Sequence, residues 1–408
     1  MTEIEPLQAK FIDALTAGGA VKDERWLVAF RDIHRGVFVP YYFTQTTDRS
    51  GWVLVESPSP QWAAGVYSHQ PLITQLNGDD TLTETARQGQ PVNGVSTSSS
   101  SAPALMALML EALNVHDGHK ILEIGTGTGY NTALLCHRAG PHQVSSIDID
   151  PHIVSNARQR LAMLGYQPDL AIQDGRAGYP AQAPFDRIIA TVAVQRPPQE
   201  WIAQTRIGGT ILLPLDRRNC GGLLAKLTVA PGGIAHGHFL PDFGGFMPLR
   251  PLTHYDAAQH AFRTINDNQG ETRRTSLPAE VITRDDSPFE FFAALTLSGG
   301  GWNHLSFTPS NGDPPETWLA QGDGSWVCHT TTPDGIHTVR QGGPTRLWDQ
   351  VETAHQQWHQ IGRPTRDRFG LTIDNGHGTL WLDHPDSPHQ WVDVWRNTTS
   401  NRASTSVP

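Results

Sequence analysis

The stretch ILEIGTGTGY, residues 121–130, decides the fold of this chain. Its first four residues have the apolar character of a buried strand, and the glycine-rich turn that follows opens into a helix. Downstream, residues 144–148 (VSSID) have the pattern of a second strand that ends in an acid. These elements form the first half of a nucleotide-binding βαβ unit. We expect the glycines to let a ligand approach the backbone closely, and Asp148 to meet its ribose hydroxyls.

The spacing of the glycines indicates which nucleoside is bound. A dinucleotide-binding turn, G-x-G-x-x-G, needs glycine at position 130, where this chain has Tyr130. Glu123, just before the turn, would repel a phosphate. Both features favour S-adenosylmethionine, which has an adenosine, no phosphate, and two cationic groups that tolerate a carboxylate. Asp174-Gly175 adds an acid where methyltransferases usually place one against the adenine amino group. A glycine-rich turn alone also occurs in α/β domains that bind no nucleoside.

Composition limits the remaining classes of function. The chain has 408 residues, enough for two or three structural units. Its net charge of −10 argues against a nucleic acid as partner, because such proteins need a basic surface. The three cysteines are far apart, and the pair His236 and His238 lacks a third ligand at metal spacing, so no metal site is predicted. No apolar run approaches membrane length, so we expect a cytoplasmic protein with no membrane partner.

Periodicity along the chain predicts its organisation. Apolar residues recur at helical spacing within residues 3–40, whereas the serine-rich segment 77–102 has the composition of a flexible linker. Pro103 opens a strongly apolar helix that extends through Leu113. From about 120 to 229, strands alternate with helices, which predicts a mostly parallel, doubly wound sheet with ligands at the carboxyl ends of its strands.

Beyond residue 230 proline, glycine and tryptophan become frequent, and one clear helix is predicted between Gly343 and Gly362. The tryptophans of this region either form a peptide-binding face or fill a small core. We predict an α/β fold: a doubly wound, Rossmann-like S-adenosylmethionine methyltransferase domain with N-terminal helices and a C-terminal α+β domain. The expected units are an N-terminal, substrate-site unit with a polar insertion (1–100), the methyltransferase domain (101–229), an α+β domain with its own core for peptide recognition (230–398), and a disordered tail (399–408).

Several motifs, taken in order, resemble the protein-L-isoaspartate O-methyltransferase family. Residues 35–40 (RGVFVP) look like its R-x-x-F-V-P segment, and Ser101-Ala102-Pro103 looks like its active-site S-x-P. Residues 122–130 are similar to its L-E-I-G-T-G-S-G-Y almost residue for residue. Further similar text lies at 174–175, 183–189 and 208–214. The resemblance covers roughly residues 20–228.

The resemblance implies methyl transfer from S-adenosylmethionine to the side-chain carboxylate of isoaspartyl residues, followed by closure of a succinimide. It implies that Ser101 is the catalytic residue that holds this carboxylate. The implied cofactor-binding residues are Glu123, Gly125, Thr126, Gly127, Thr128, Gly129, Asp148, Ile149, Asp174, Gly175 and Thr191. The implied substrate-binding residues are Ser99, Ser100, Ser101, Val192 and His69, where His69 replaces the usual aspartate. Asp148 stands where the family usually has glutamate.

Physical chemistry supports the role of Ser101 independently of that resemblance. A carboxylate is already ionised at neutral pH, so its methylation needs positioning and no general base. A hydroxyl and the free N–H groups at the start of a helix suit this task, because helix N-termini favour anions. The alternative is that Ser101 only caps the helix.

Two departures from the family suggest a narrower substrate. The polar insertion 77–100 lies at the expected mouth of the site, and the repair enzymes are expected to lack residues 230–408. Both features, with text at 358–383, resemble a subgroup of actinobacterial homologues encoded with lanthipeptides, lasso peptides and ATP-grasp-modified peptides. This implies methylation of an aspartate in a macrocyclic precursor peptide, leading to aspartimide or isoaspartate. The alternatives are general repair of isoaspartyl-containing polypeptides and a non-catalytic peptide-binding scaffold.

Overall fold

The computed structural model of the protein describes residues 4–216, 222–250, 270–284, 287–297, 302–309, 314–392 and 394–395. The predicted tail 399–408 lies outside these residues. No helix among the described residues is long and apolar enough to cross a membrane.

The N-terminal part combines helices with a small antiparallel sheet of order β2-β1-β3-β4. Its elements are α1 (Ile4–Ala17), α2 (Glu24–Asp32), α3 (Arg35–Phe38), β1 (Tyr41–Gln45), β2 (Trp52–Glu56), α4 (Pro60–Val66), β3 (Leu72–Leu76), α5 (Thr81–Arg87) and β4 (Ser96–Ser100). The two apolar stripes within residues 3–40 correspond to α1 and α2, which bury Phe11 and Leu15, and Trp26 and Phe30. The helical prediction for this segment is confirmed.

The serine run is a strand, so the prediction of a flexible linker is wrong. Strand β4 pairs with β3 over residues that include Leu72 and Ser100. Side-chain bonds add to this pairing, since the Thr97 hydroxyl donates to Gln75 Oε1 at 2.9 Å. The segment is ordered by these hydrogen bonds and by a small apolar cluster that contains Ala86 and Val92, and its polar composition reveals neither.

The central part is a doubly wound parallel sheet, as predicted. Its elements are α6 (Pro103–Leu113), β5 (Ile121–Ile124), α7 (Tyr130–Ala139), β6 (Val144–Asp148), α8 (Pro151–Met163), β7 (Asp169–Ile172), β8 (Phe185–Ala190), α9 (Gln199–Ala203) and β9 (Thr205–Leu215). The parallel strands have the order β7-β6-β5-β8-β9. The connections that leave β5 and β8 run in opposite directions, which opens a crevice at their carboxyl ends. Helix α9 is shorter than expected, because residues 205–207 already belong to β9.

The remaining elements extend this sheet and add a third one. They are β10 (Leu223–Ala230), β11 (Ile234–Phe243), β12 (Glu271–Thr275), α10 (Glu280–Thr283), α11 (Pro288–Thr296), β13 (Asn303–Phe307), β14 (Glu316–Ala320), β15 (Trp326–Thr331), β16 (His337–Gly342), α12 (Leu347–Gln360), β17 (Phe369–Asp374), β18 (His377–Leu382) and β19 (Gln390–Val392). The large sheet continues from β9 through β10, β11, β17 and β18 to β19, with every added pair antiparallel. The third sheet is antiparallel, with the order β12-β16-β15-β14-β13.

The expected boundary between residues 229 and 230 falls inside the β10–β11 hairpin. A single apolar cluster joins Ile124 and Leu213 of the central part to Phe291, Trp348 and Phe369 of the C-terminal part. The two parts therefore share one core, where a separate small core was expected. Four tryptophans of the C-terminal part are almost fully buried, which favours the core alternative over a peptide-binding face for Trp302, Trp326, Trp348 and Trp381.

Candidate functional site

The glycine-rich turn brings backbone from three strands together. The Gly125 N–H donates to the Ile147 carbonyl at 2.9 Å, which ties the turn to β6. Gly125 has φ +99°, and a Cβ there would lie 2.7 Å from Thr191 Oγ1. Thr191 follows β8, and its hydroxyl donates to the Gly125 carbonyl at 2.7 Å. Only glycine allows this contact between the two strand ends without strain.

A cavity of about 300 Å³ opens at this point, at the carboxyl ends of β5, β6 and β8. It is lined by most of the residues that the sequence singled out: Ser99, Ser100, Ser101, Glu123, Gly125, Thr126, Gly127, Thr128, Asp148, Ile149, Gly175, Thr191 and Val192. Residues from the end of β4, from the glycine-rich turn and from the end of β8 thus line the same cavity.

Three of the expected site residues do not line this cavity. The His69 ring stacks on Phe11, with the ring centroids 5.3 Å apart. The Asp174 carboxylate accepts from the Arg176 backbone N–H at 3.0 Å and forms an ion pair with its guanidinium at 2.8 Å. Gly129 is the residue before α7, and a Cβ there would lie 3.1 Å from the Ala157 Cβ, so it serves helix packing. These three residues therefore have local partners in the structure, which motif spacing does not encode.

The Asp148 carboxylate stands at the end of β6 as predicted. Its Oδ2 accepts from the Gly127 N–H at 3.1 Å, and its Oδ1 accepts from the Asp150 N–H at 3.2 Å. Burial raises the pKa of Asp148, and the nearby Arg250 cation opposes this shift. Arg250 Nη2 lies 3.9 Å from Asp148 Oδ1 and 4.0 Å from Asp150 Oδ2. A carboxylate held in this way keeps lone pairs for the hydroxyls of a ribose.

Glu123 is fully buried beneath the turn. It accepts hydrogen bonds from Asn131 Nδ2 at 2.7 Å, from Ser146 Oγ at 2.7 Å and from the Thr132 hydroxyl. Burial raises the pKa of Glu123 to about 7, although these three bonds oppose the shift. The carboxyl group therefore titrates near neutral pH, and a cation bound beside it would favour its charged form.

Another part of the cavity lining has groups that favour an anion. Helix α6 begins after Ala102, which has no side chain that caps the helix, so its first N–H groups have no side-chain acceptor there. Ser101 precedes this residue, and among the described residues its hydroxyl has no hydrogen-bond partner. The capping alternative for Ser101 is therefore wrong. A free hydroxyl and the positive end of a helix face the same space.

One wall of the cavity was missed by the sequence reasoning. Residues 245–250 line it, although they lie beyond the predicted methyltransferase domain. Ala193 holds this segment in place, because its N–H donates to the Met247 carbonyl and its carbonyl accepts from the Leu249 N–H, both at 2.8 Å. The only sequence signal is a short apolar run, FMPL, in glycine-rich text. Such a signal does not say which strand the run will lie against.

The lining suits S-adenosylmethionine better than a phosphorylated nucleoside. A phosphate at the turn would face the carboxylates of Glu123 and Asp148. An ammonium group would instead find Asn131 Oδ1, which is buried and has no hydrogen-bond partner among the described residues. The sulfonium would lie in a cavity that also contains apolar groups such as Leu105, Met106 and Val192.

Comparison with known sequences agrees with this geometry. Residues 79–226 match the family described as protein-L-isoaspartate(D-aspartate) O-methyltransferase. A relative from Ignicoccus hospitalis, named protein-L-isoaspartate O-methyltransferase, is 37% identical over 151 residues, which are 36% of this chain and 71% of that protein. A relative of the same name from Anaeromyxobacter dehalogenans is 38% identical over 167 residues, which are 39% of this chain and 74% of that protein.

A solved structure titled protein-L-isoaspartate O-methyltransferase is similar over a longer range. Its TM-score is 0.51 at 19% identity, and the match covers 92% of this chain and 100% of that one. At this identity the similarity concerns the fold alone. Because the match extends well beyond residue 230, the expectation that proteins of this name lack a counterpart of residues 230–408 is wrong for this structure.

Proposed function

Because the chain belongs to the protein-L-isoaspartate O-methyltransferase family, we propose that it methylates the free α-carboxylate of isoaspartyl residues in polypeptides, with S-adenosylmethionine as methyl donor. One observation carries this proposal. A single cavity has a nucleoside side, formed by the glycine-rich turn and Asp148, and an anion side, formed by Ser101 and the start of α6. Methyl transfer to a carboxylate needs both sides in one space.

The chemistry asks for positioning rather than for acid–base catalysis. A carboxylate is ionised at neutral pH and is its own nucleophile. When bound, S-adenosylmethionine supplies an electrophilic methyl group: the carboxylate oxygen forms a bond to the methyl carbon, the carbon–sulfur bond breaks, and its electron pair stays on sulfur. The products are a neutral methyl ester and S-adenosylhomocysteine, so one positive and one negative charge disappear together.

The chain's own residues hold the two reactants. The Ser101 hydroxyl donates to one oxygen of the acceptor carboxylate and leaves the other oxygen free to react. The N–H groups of the first turn of α6 favour the anion. On the donor side, Asp148 would accept from the ribose hydroxyls of the bound cofactor, and Asn131 Oδ1 would accept from its ammonium group. Leu105 and Val192 give the same cavity part of its apolar lining.

Methylation activates the acceptor for a second step that needs no further group of the protein. A methoxy group leaves more readily than an oxide from the same carbonyl carbon. The backbone amide nitrogen that follows the isoaspartyl residue attacks this carbon, methanol leaves, and a succinimide closes. Its hydrolysis returns a mixture of aspartyl and isoaspartyl linkages, which is the chemistry of repair.

The test is methyl transfer to a defined peptide. The protein is incubated with methyl-labelled S-adenosylmethionine and with one of three hexapeptides that differ only in an isoaspartyl, an aspartyl or an isoasparaginyl residue. We expect base-labile label in the isoaspartyl peptide alone. Label in none of the three contradicts the proposal.

The role of Ser101 is tested by Ser101→Ala, with Ser96→Ala as the matched control, a serine at the start of β4 that lies outside the cavity lining. Loss of a hydrogen bond to a charged group costs about 1.5–3 kcal/mol, so we expect kcat/KM to fall by about 10- to 100-fold. Cofactor affinity, measured by calorimetry, should stay unchanged in both variants. Full activity of Ser101→Ala would remove the serine from the proposed mechanism.

A narrower function is a second candidate: methylation of an aspartate in a macrocyclic precursor peptide. The observation that favours it is the order of the segment 77–100, whose strand β4 presents Ser98, Ser99 and Ser100 to the cavity beside Ser101. A rigid serine-lined edge suits a constrained substrate of fixed shape. Under this candidate the isoaspartyl hexapeptide stays unlabelled, while a cyclised peptide with an aspartate in the ring accepts methyl. Brisk labelling of the linear isoaspartyl peptide would favour general repair.

A further inference from the structure

A buried arginine lies behind the anion side of the cavity. Arg35, the first residue of α3, has none of its surface exposed. Its Nε donates to Ser100 Oγ, and its Nη2 donates to the carbonyl oxygens of Gln70, Ser100 and Ser101, each at 3.1 Å. Its Nη1 donates to the Val66 and Ser68 carbonyls, also at 3.1 Å. One guanidinium thus joins the loop after α4 to the end of β4 and the serine of the site.

Every acceptor of this guanidinium is a neutral oxygen. Among the described residues, no carboxylate lies within 4.0 Å of Arg35. Burial lowers the pKa of Arg35 to about 10, so the group stays charged at neutral pH. The titratable groups nearest to it supply no negative charge: burial raises the pKa of Tyr130, and burial together with Arg35 lowers the pKa of His69.

Burial of a charge without a counterion lowers the stability of a protein. A neutral hydrogen-bond donor in place of the guanidinium would satisfy the same carbonyl oxygens at a lower cost in free energy. The position of this charge indicates a function that would outweigh the cost of burying it. The guanidinium contacts the carbonyl of Ser101, within one residue of the hydroxyl that faces the cavity. In a site of low dielectric such a charge acts over a longer distance than it does in water. An acceptor carboxylate at Ser101 would be its nearest negative group.

We propose that Arg35 is a positioning residue with two effects: it fixes Ser100 and Ser101, and its unpaired positive charge makes the site prefer a carboxylate over a neutral isostere. The inference rests on the proposed function, because it concerns the acceptor of that reaction. The charge of Arg35 would make the site specific for an anion. The Ser101 hydroxyl alone would not, because it can form a hydrogen bond with a carboxylate and with an amide.

The preference is measured as a ratio of two affinities. The protein, saturated with S-adenosylhomocysteine, is titrated with the isoaspartyl hexapeptide and with its isoasparaginyl isostere. We expect the wild-type protein to bind the carboxylate at least about 10-fold more tightly than the amide. Arg35→Lys, which keeps the charge and loses the planar fork, should keep most of this ratio. Arg35→Gln, which removes the charge, should bring the ratio close to one.

A purely structural role predicts a different result. In that case Arg35→Gln weakens both peptides equally and leaves the ratio at the wild-type value, which would overturn the inference. The wild-type transfer assay separates this outcome from failure of the proposed function. Absence of methyl transfer to the isoaspartyl peptide would contradict the proposed function. Methyl transfer by the wild-type protein, together with an unchanged affinity ratio in Arg35→Gln, would contradict only the proposed role of the charge.

A measurement on the wild-type protein covers the case in which neither variant folds. The free α-carboxyl of the isoaspartyl residue is labelled with ¹³C and titrated by NMR in the complex with S-adenosylhomocysteine. We expect the pKa of the bound carboxyl to lie more than about one unit below that of the free peptide, beyond the usual contribution of a helix end. A smaller or opposite shift would overturn the inference.

Discussion

Two glycines of the turn should respond differently to the same substitution. Gly125 has φ +99°, outside the left-handed region that other residues occasionally enter, and its Cβ would lie 2.7 Å from Thr191 Oγ1 and 3.0 Å from Val192 Cγ1. Gly127 has φ +51°, inside that region, and its Cβ would have ordinary contact at 3.5 Å with the Ser99 carbonyl. Substitution by alanine therefore adds a clash at Gly125 and only backbone strain at Gly127.

The magnitudes follow from these contacts. A left-handed backbone costs a non-glycine residue about 1–2 kcal/mol, and overpacking costs about 1–3 kcal/mol. Gly125→Ala should lower the free energy of unfolding by about 2–5 kcal/mol, because the strand ends after β5 and β8 must separate. Gly127→Ala should lower it by about 1 kcal/mol. Because Gly127 lines the cavity, its new methyl group should instead weaken cofactor binding.

Urea-induced unfolding of the cofactor-free protein measures the first effect, and calorimetric titration with S-adenosylhomocysteine measures the second. Gly232→Ala is the control, since Gly232 also has positive φ and its Cβ would contact nothing within 4 Å. Equal loss of stability in Gly125→Ala and Gly127→Ala would refute the reasoning. So would a cofactor affinity of Gly127→Ala within twofold of the wild-type value.

Three further predictions concern the cofactor side and the C-terminal part. The pKa of Glu123 is raised to about 7, and a bound cation lowers it, so S-adenosylmethionine binding at pH 7 should release protons and weaken as the pH falls. Calorimetry in buffers of different ionisation enthalpy measures the number of protons released. Glu123→Gln should abolish the release, and an unchanged release in this variant would exclude Glu123 as the source of the protons. Asp148→Asn should weaken cofactor binding by about 10- to 100-fold, because hydrogen bonds to a charged group are lost. The control Asp374→Asn, at an exposed carboxylate, should leave cofactor binding unchanged. Equal effects of the two substitutions would contradict the proposal that Asp148 binds the ribose. A chain ending at residue 229 should show neither cooperative thermal unfolding nor cofactor binding, because it exposes the edge of β10 and lacks the cavity wall formed by residues 245–250. If its cofactor affinity is within tenfold of that of the full chain, the central part folds and binds without the C-terminal part.

Local sequence was sufficient for the parallel sheet and for the positions of the glycine-rich turn and Asp148 at its crevice. Buried strands such as Ile121–Ile124 leave a strong periodic signal, and a turn with three positive-φ glycines has few alternatives to glycine. Asp148 could be placed because the carboxyl ends of parallel strands meet at one edge of the sheet. Ser101 was singled out through its motif, and the structure adds that its hydroxyl has no hydrogen-bond partner in the described part of the chain.

Other residues were misjudged because their environment comes from distant parts of the chain. The serine run 96–100 has no apolar face, yet pairing with β3 orders it. Asp174 and His69 do not line the cavity: Asp174 forms an ion pair with Arg176, two residues along the chain, and His69 stacks on Phe11. Such pairings depend on which side chains meet in space, and one-dimensional spacing does not contain that information.

By itself, therefore, the sequence determined the doubly wound sheet, the glycine-rich turn at its crevice, and the position of the serine before α6. These depend on short-range patterns: alternation, glycine spacing and a helix start. Only the tertiary structure decided that β11 and β17–β19 continue the same sheet, that residues 245–250 line the cavity, and that Arg35 lies behind Ser101 with no counterion among the described residues. These features arise from hydrogen bonds and burial between segments far apart in the chain, which no local pattern records.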